Sequence, residues 1–407
     1  MLIAHRTVPG EKLTVNKPLK VAWFSHFPIE WLPDLPPELQ GIPRMHPATW
    51  QRVLWEEFAA WPNLELHMVA LRGAFPRSHT FSRGNTTFHC IRTPPGSRSA
   101  TLYWLDTLLV RRELSRIQPD LVQAWGSEYG STAVAGRLPY PALVTMQGIL
   151  TWYGSVFPLN RHMKLSRWLE DRSLRRADVV TCESSFGKKY LSERYPGLKL
   201  LQVEHAPHPR FSAIQRTPQL APPRILCVGS FLYWKGADIV MKSLDRLREF
   251  EFELVWVGAK SQELENQLRN ETSAEIWNRI RFKHDLTPSE VADELSRATF
   301  LLHASRADNS PNSVKEAVVA GVPVVATRTG GIPDYVTTGG NGFLFESGNV
   351  EDCTARIREA LNNANFSRGI VAQETLREMR SYLSAKTMAE KFFAAYQVAL
   401  RQDRRVM

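Results

Sequence analysis

The sequence predicts a two-domain α/β protein, each domain built on a doubly wound parallel sheet. Three observations carry that expectation. Short, continuously apolar β-rich runs alternate with longer helical patterns, as parallel strands buried on both faces require. The 407 residues exceed what one hydrophobic core supports and suit two. The alternation pauses at a polar, proline-bearing stretch, "PHPRFSAIQRTPQLAPP" from Pro207 to Pro223, and then restarts. The expected partition is 1–210 for a first domain, 211–385 for a second, and 386–407 for a C-terminal helix crossing back to the first.

In the first half, "KVAWFSHF" (from Lys20) opens as a strand. "LELHMVAL" (from Leu64), "TTFHCIR" (from Thr86), "LVQAW" (from Leu121), "ALVTM" (from Ala142) and "DVVTC" (from Asp178) follow, and "LKLLQVEHA" (from Leu198) closes it. Helical patterns lie between most of them, Thr49 to Ala60 and His162 to Arg176 among them. In the second half the strands are "RILCVGSF", "FELVWVG" (from Phe252), "IRFKHDL" (from Ile280), "TFLLHAS" (from Thr299) and "PVVAT", with helices between and after them. Ligands of such sheets sit beyond the carboxyl ends of the strands, so the residues that matter follow strands.

Composition bounds the function. The chain is 43% hydrophobic and 23% charged, as in globular proteins, with no apolar run near the roughly 18 residues of a membrane span. Cys90, Cys182, Cys227 and Cys353 are far apart and form no CxxC pair, which points to buried free thiols and no zinc site. The start carries no signal-peptide core, and the expected location is cytoplasmic or peripheral on the inner face of a membrane. The formal charge of +10 favours an anionic partner. No zinc finger, RNP motif or basic coiled coil is present, so nucleic acid is not expected.

Three post-strand loops of the second half carry chemistry. In "VGSFLYWKGAD" a strand ends at Gly229 and Lys235 precedes a helix. A lysine there opposes the helix dipole and makes sense beside an external anion such as a diphosphate; the alternative is a solvated lysine in a turn. In "RADNSPNS" the chain turns into a helix that Asn312 or Ser313 can cap. Glu316 has two readings: a ligand-binding acid, or the second member of a Ser313-x-x-Glu316 capping box. Asp308, eight positions earlier, is an ordinary loop acid or a partner of Glu316 on the same sheet edge. In "TRTGGIPDYV", Gly330-Gly331 allows close backbone approach or makes a plain tight turn.

Together these motifs resemble the donor half of retaining nucleotide-sugar glycosyltransferases of family 4. The string "SPNSVKEAVVAGVPVVAT" is the most specific part, and the resemblance covers most of Arg224 to about Glu359. It implies the GT-B fold: two Rossmann-like domains facing across a central cleft. It also implies that Lys235 binds the donor diphosphate, Glu316 the ribose hydroxyls, and Asp308 hydroxyls of the transferred sugar. Gly229, Ser230, Asn309, Ser310, Asn312, Ser313, Val314, Gly330 and Gly331 would complete the donor site. No metal is implied, and the mechanism is same-face attack with a donor phosphate oxygen taking the acceptor proton. The implied partners are a nucleotide sugar and a glycan, lipid-linked or small-molecule acceptor, and the implied setting is cell-surface polysaccharide or glycoconjugate assembly.

The chain departs from the family at three positions. Ser230 stands where many relatives have arginine, so the diphosphate clamp loses a cation unless another base, Arg306 for one, supplies it. Asp308 replaces a longer glutamate, and Gln147-Gly148 replaces His-Gly. A binding or scaffold subunit of weak or absent activity is therefore the second reading, and an epimerase or phosphorylase of the same shape the third.

On the first domain, the long proline-rich loop Pro28 to Trp50 follows the first strand; it either offers His46 to an acceptor or carries it as a stray surface histidine. Glu128, in "WGSEYG", is either an acceptor contact or a first-turn acid, and Gln147 and Gly148 lie on the same edge. The basic segment Arg161 to Arg176, with Leu165, Trp168 and Leu169 at helical spacing, either packs on its own sheet or contacts an anionic membrane.

Overall fold

The computed structural model describes residues 17–45 and 48–401, and His46 lies outside them. The first domain holds β1 (Leu19–Phe24), β2 (Leu64–Arg72), β3 (His79–Arg83), β4 (Thr86–Arg92), β5 (Leu121–Trp125), β6 (Ala142–Met146), β7 (Val179–Cys182) and β8 (Leu200–Gln202). They form one sheet in the order β3-β4-β2-β1-β5-β6-β7-β8, parallel except for β3. The second domain holds β9 (Arg224–Val228), β10 (Glu253–Val257), β11 (Ile280–Lys283), β12 (Phe300–His303), β13 (Val324–Thr327) and β14 (Gly342–Phe345). Their order is β11-β10-β9-β12-β13-β14, and every pair is parallel.

Both sheets reverse their winding once. The reversal lies between β1 and β5 in the first and between β9 and β12 in the second. Loops leaving two such neighbours go to opposite faces and open a crevice. The chain's motifs occupy those crevices: the loops after β1 and β5 carry Trp31 and Glu128, and those after β9 and β12 carry Lys235 and Asp308.

Two strands escape the sequence reading. β3 alternates half-buried and exposed residues and pairs antiparallel at the sheet edge, so it lacks a continuous apolar run. β14 is four residues long and follows the Gly339-Gly340 turn. The four cysteines are free and buried.

The helix Ala385–Leu400 packs on the first domain. Met388, Phe392 and Tyr396 join the core built on β1 and β2. The Tyr396 hydroxyl accepts from Trp23 Nε1 at 3.0 Å and donates to Gln123 Oε1 at 2.5 Å, which ties the end of the chain under β1 and β5.

The domains also meet at buried polar contacts. Lys315 Nζ donates to Glu183 Oε2 at 2.9 Å, with His205 Nδ1 3.1 Å from Glu183 Oε1. Burial by itself would raise the Glu183 carboxyl; His205 and Lys315 bring it down to about 2.

Candidate active site

A cleft of about 790 Å³ opens between the domains. Gly229, Lys235, Asp308, Ser310, Asn312, Ser313 and Glu316 line it from the second domain, and Trp31, Arg44, Met45 and Thr49 from the first. The chain from Asp285 to Pro288, after β11, closes one end.

Lys235 ends a short turn, Tyr233–Lys235, and the helix Ala237–Asp245 begins just after it. Gly236 makes the junction at φ +75, and a Cβ there would stand 2.0 Å from the Ala304 carbonyl oxygen. Only glycine lets this loop pass so close to the one after β12. The close pass brings Lys235 Nζ to 2.6 Å from Asp308 Oδ2. The ammonium also lies 4.3 Å from the Trp234 ring centroid.

Asp308 is 8% exposed and has three neighbours at one oxygen. Besides Lys235, Ser305 Oγ lies 3.4 Å away and His303 Nε2 3.5 Å away. Burial alone would raise its carboxyl, but Lys235 and His303 hold it well below the usual carboxylate range. Burial holds the His303 imidazole low, so that side chain is neutral near pH 7.

Glu316 is not a capping-box residue. The helix runs Asn312–Ala320 with Pro311 at the N-cap, and no side chain caps it. Ser313 falls inside the first turn, its hydroxyl 3.4 Å from His303 Nδ1. Glu316 is therefore left facing the cleft, half-buried. Burial pushes its carboxyl up to about 8, opposed only by the neighbouring Lys315 charge. The uncapped first-turn amides of this helix point toward the same cleft and are ready donors for phosphate or sugar oxygens.

Other expected residues sit elsewhere. Asn309 faces the first domain, where its Nδ2 donates to the Gln147 carbonyl at 2.7 Å and its Oδ1 accepts from Ser184 Oγ at 2.8 Å. Val314 is buried in the core of its own domain. Gly330, at φ +53, and Gly331 pack on the backbone of Asp308 and Asn309; a Cβ on Gly330 would stand 1.9 Å from the Asp308 carbonyl oxygen. These glycines set the shape of the Asp308 loop rather than line the cleft. Ser230 faces a small adjoining recess.

Arg306 does not supply the second cation. Its guanidinium grips Asp238 at 2.7 and 2.8 Å and covers the Tyr233 ring at 3.8 Å. The cleft's other cation is Arg44, which has no carboxylate partner among the described residues and lies 5.1 Å from the Trp31 ring centroid. The loop carrying it is pinned by buried charge. Arg72 Nη1 donates to Glu30 Oε2 at 2.6 Å, and Glu30 Oε1 accepts from the Met45 amide at 3.0 Å. No sequence motif marks Arg44; only its place in the long loop after β1 does. Asp285 to Thr287 follow β11 and were open to the same strand-end rule.

Glu128, Gln147 and Gly148 form a second group beside Asn309. Gly148 N donates to Glu128 Oε1 at 3.0 Å, and the Tyr153 hydroxyl accepts from the Asn309 amide at 3.3 Å. Burial, helped by the nearby Glu170 charge, pushes the Glu128 carboxyl up to about 7 against its backbone hydrogen bonds. Gln147 Nε2 is buried with no hydrogen-bond partner among the described residues. No group of three or more His, Cys, Asp or Glu side chains there is arranged to hold a metal.

Comparisons with known proteins give the family and the fold. Residues 212–377 match the family model "Glycosyl transferases group 1", and residues 52–200 match "Glycosyltransferase Family 4". Sulfoquinovosyl transferase SQD2 of Arabidopsis thaliana is 24% identical over 306 residues, 70% of this chain and 58% of that protein. The uncharacterised glycosyltransferase MJ1178 of Methanocaldococcus jannaschii is 26% identical over 245 residues, 60% of this chain and 65% of that one. The chain thus spans less than two thirds of either relative's length. Among solved structures, sucrose-phosphate synthase from Thermosynechococcus elongatus superposes with a TM-score of 0.76 at 14% identity, covering 93% of this chain and 98% of that one. The Anabaena protein HepE, solved with UDP and glucose, gives 0.67 at 14% identity, covering 93% and 99%. The two family models divide at the domain junction and between them match most of the chain: it belongs to the group 1 glycosyltransferases of the GT-B fold.

Proposed function

We propose that the protein transfers a sugar from a nucleotide-diphosphate sugar to a hydroxyl of a glycan or lipid-linked acceptor, with retention of configuration at the anomeric carbon. The observation that carries this reading is the convergence of Lys235, Asp308, Glu316 and an uncapped helix start on one cleft. A diphosphate needs a cation and backbone amides, a ribose needs an acceptor for two hydroxyls, and the sugar needs a fixed acid at its far end. HepE, a protein of this fold, is solved with UDP and glucose, which supports a nucleotide-sugar donor.

Charge develops on the departing diphosphate as the bond to the anomeric carbon breaks. Lys235 and the amides of the helix Asn312–Ala320 stabilise it there, and Arg44 faces the same space from the other domain. The acceptor oxygen bonds to the anomeric carbon on the side the diphosphate leaves. Its proton passes to a donor phosphate oxygen. Asp308, held ionised, accepts from hydroxyls of the transferred sugar.

Glu128 and Gln147 belong to the acceptor side. Gln147 retains an N–H donor at a position where the family has histidine, and that donor has no protein partner among the described residues. A thermal-shift screen against UDP-, GDP-, ADP- and dTDP-sugars, followed by a transfer assay, tests the reading. One nucleotide series should raise the melting point, by about 2.7 kcal/mol of stability at a hundredfold excess over Kd. No shift with any of them overturns it.

A further inference from the structure

The outer face of the first domain carries an apolar edge bordered by unpaired arginines. The helix Trp104–Ile117 buries Val110, Leu114 and Ile117 against the sheet. One turn apart on its outer side stand Trp104, 54% exposed, and Leu108, 62% exposed, with Leu102 beside them at 39%. Leu102 and Tyr103 adopt left-handed backbone, φ +49 and +61, a conformation that side chains rarely take and that persists where the surroundings impose it. Arg137 holds this turn from outside. It donates to the Leu102 carbonyl at 3.0 Å, and its guanidinium carbon lies 4.2 Å from the Trp104 ring centroid.

Charge on this face is one-sided. Arg111 and Arg112 follow Leu108 on the same side of the helix and are exposed. Neither they nor Arg137 pair with a carboxylate among the described residues. The acids of this layer are engaged: Asp106 by Arg98 at 2.7 Å, Glu113 by His89 and Arg116 at 3.0 and 3.2 Å. The neighbouring helix Arg161–Ser173 shares the same core cluster, where Leu165 and Leu169 pack inward. Its own outer tryptophan, Trp168, is 44% exposed and covered by Arg172 at 4.6 Å. Of the three apolar residues that the sequence sets at helical spacing on Arg161 to Arg176, Leu165 and Leu169 pack inward and Trp168 stays exposed; a larger exposed apolar edge belongs to the helix Trp104–Ile117.

We infer that this face docks the protein on an anionic membrane surface. Isolated exposed apolar residues are ordinary, but here tryptophan and leucine are grouped and every one is bordered by a cation. Arginine and tryptophan also recur in protein interfaces; the one-sided charge of this face and the net charge of +10 are what favour an anionic lipid layer. A lipid headgroup layer accepts indole and leucine at its depth while the guanidinium groups reach phosphates. The face also adjoins the acceptor side of the cleft. Tyr103 lies against Gly130, two residues beyond Glu128, so close that a Cβ on Gly130 would stand 2.3 Å from the ring. The docking claim does not depend on the transfer reading, and vesicle binding tests it separately.

The experiment is co-sedimentation of the full chain with phosphatidylcholine vesicles and with vesicles of phosphatidylcholine and phosphatidylglycerol. We expect binding to the anionic vesicles, weakened by salt, and little to phosphatidylcholine alone. Each arginine near an anionic surface contributes about fivefold. Arg111→Glu/Arg112→Glu should therefore lose at least about 25-fold in affinity. Trp104→Ser/Leu108→Ser should lose about tenfold on the same vesicles. Unaltered melting curves would show both variants folded. Failure of the wild type to bind anionic vesicles, or equal binding by folded variants, overturns the inference. A dimer of the wild type that dissociates in Trp104→Ser/Leu108→Ser would overturn it as well, by assigning the face to a second copy of the chain.

Discussion

Lys235 Nζ lies 2.6 Å from Asp308 Oδ2, so the cation proposed for the diphosphate and the acid proposed for the sugar are paired across two loops. A donor must insert its phosphates beside that ammonium and so weaken the pair. Asp308→Asn should then separate the two roles. It frees the Lys235 charge, so affinity for the nucleoside diphosphate stays level or rises in a calorimetric titration. Transfer falls by about 10²–10³, the scale of one lost preorganised contact. A parallel loss of nucleotide affinity would show that Asp308 serves the nucleotide instead.

Glu316 predicts a proton. Burial holds its carboxyl up at about 8, so at pH 7 it is largely neutral. Accepting from ribose hydroxyls favours the carboxylate, and nucleotide binding should release a proton and strengthen as pH rises toward 8. Titrations in two buffers of different ionisation enthalpy read that release, which Glu316→Gln removes. The raised value also has a stability consequence with a definite sign. The unfolded carboxyl loses its proton near 4.5 and the folded one near 8, so Glu316 costs stability increasingly between those pH values. Glu316→Gln should accordingly melt higher than the wild type at pH 8 while binding nucleotide more weakly.

Arg44 faces the cleft, while Arg306, the base the sequence suggested, is held by Asp238. Arg44→Ala should weaken nucleoside diphosphate binding by roughly tenfold, the low end for a charged hydrogen bond, with no change in melting point. Arg306→Ala should do the reverse, lowering stability by breaking its pair with Asp238 and the Tyr233 contact while leaving the isolated nucleotide affinity nearly intact.

Lys315 and Glu183 tie the two domains from fully buried positions. Glu183→Gln leaves a buried ammonium without its carboxylate and should cost about 3–5 kcal/mol. Because the folded carboxyl titrates near 2, its contribution is present above the ordinary carboxylate range and is lost as pH falls from about 4.5 toward 2. Melting curves at pH 7 and pH 3 should converge for wild type and variant at the lower pH.

What could be read from the sequence follows physical lines. Strands buried on both faces were legible as continuous apolar runs, which is why both sheets were expected and why edge strand β3 and the short β14 were not. Lys235, Asp308 and Glu316 were legible because chemistry collects at strand ends. The choice between capping box and cleft acid was not, because it depends on where the helix starts. With Pro311 as N-cap, Ser313 is two residues too late to cap and Glu316 is released. The partners of Arg306 and the position of Arg44 rest on how segments far apart in sequence fold against each other: Arg306 meets Asp238 in the first turn of the helix Ala237–Asp245, and Arg44 is placed by the Arg72–Glu30 pair. Spacing within one segment carries no signal for either.

The central claim is that Lys235 and Glu316 hold the two ends of a nucleoside diphosphate in one cleft. Calorimetric titration of UDP, GDP, ADP and dTDP into the wild type, Lys235→Ala and Glu316→Ala tests it most directly. The account predicts that at least one nucleotide binds the wild type and that each folded variant weakens it by about 10-fold or more, the scale of a lost charge-assisted hydrogen bond. Wild-type affinity preserved in both folded variants would contradict it.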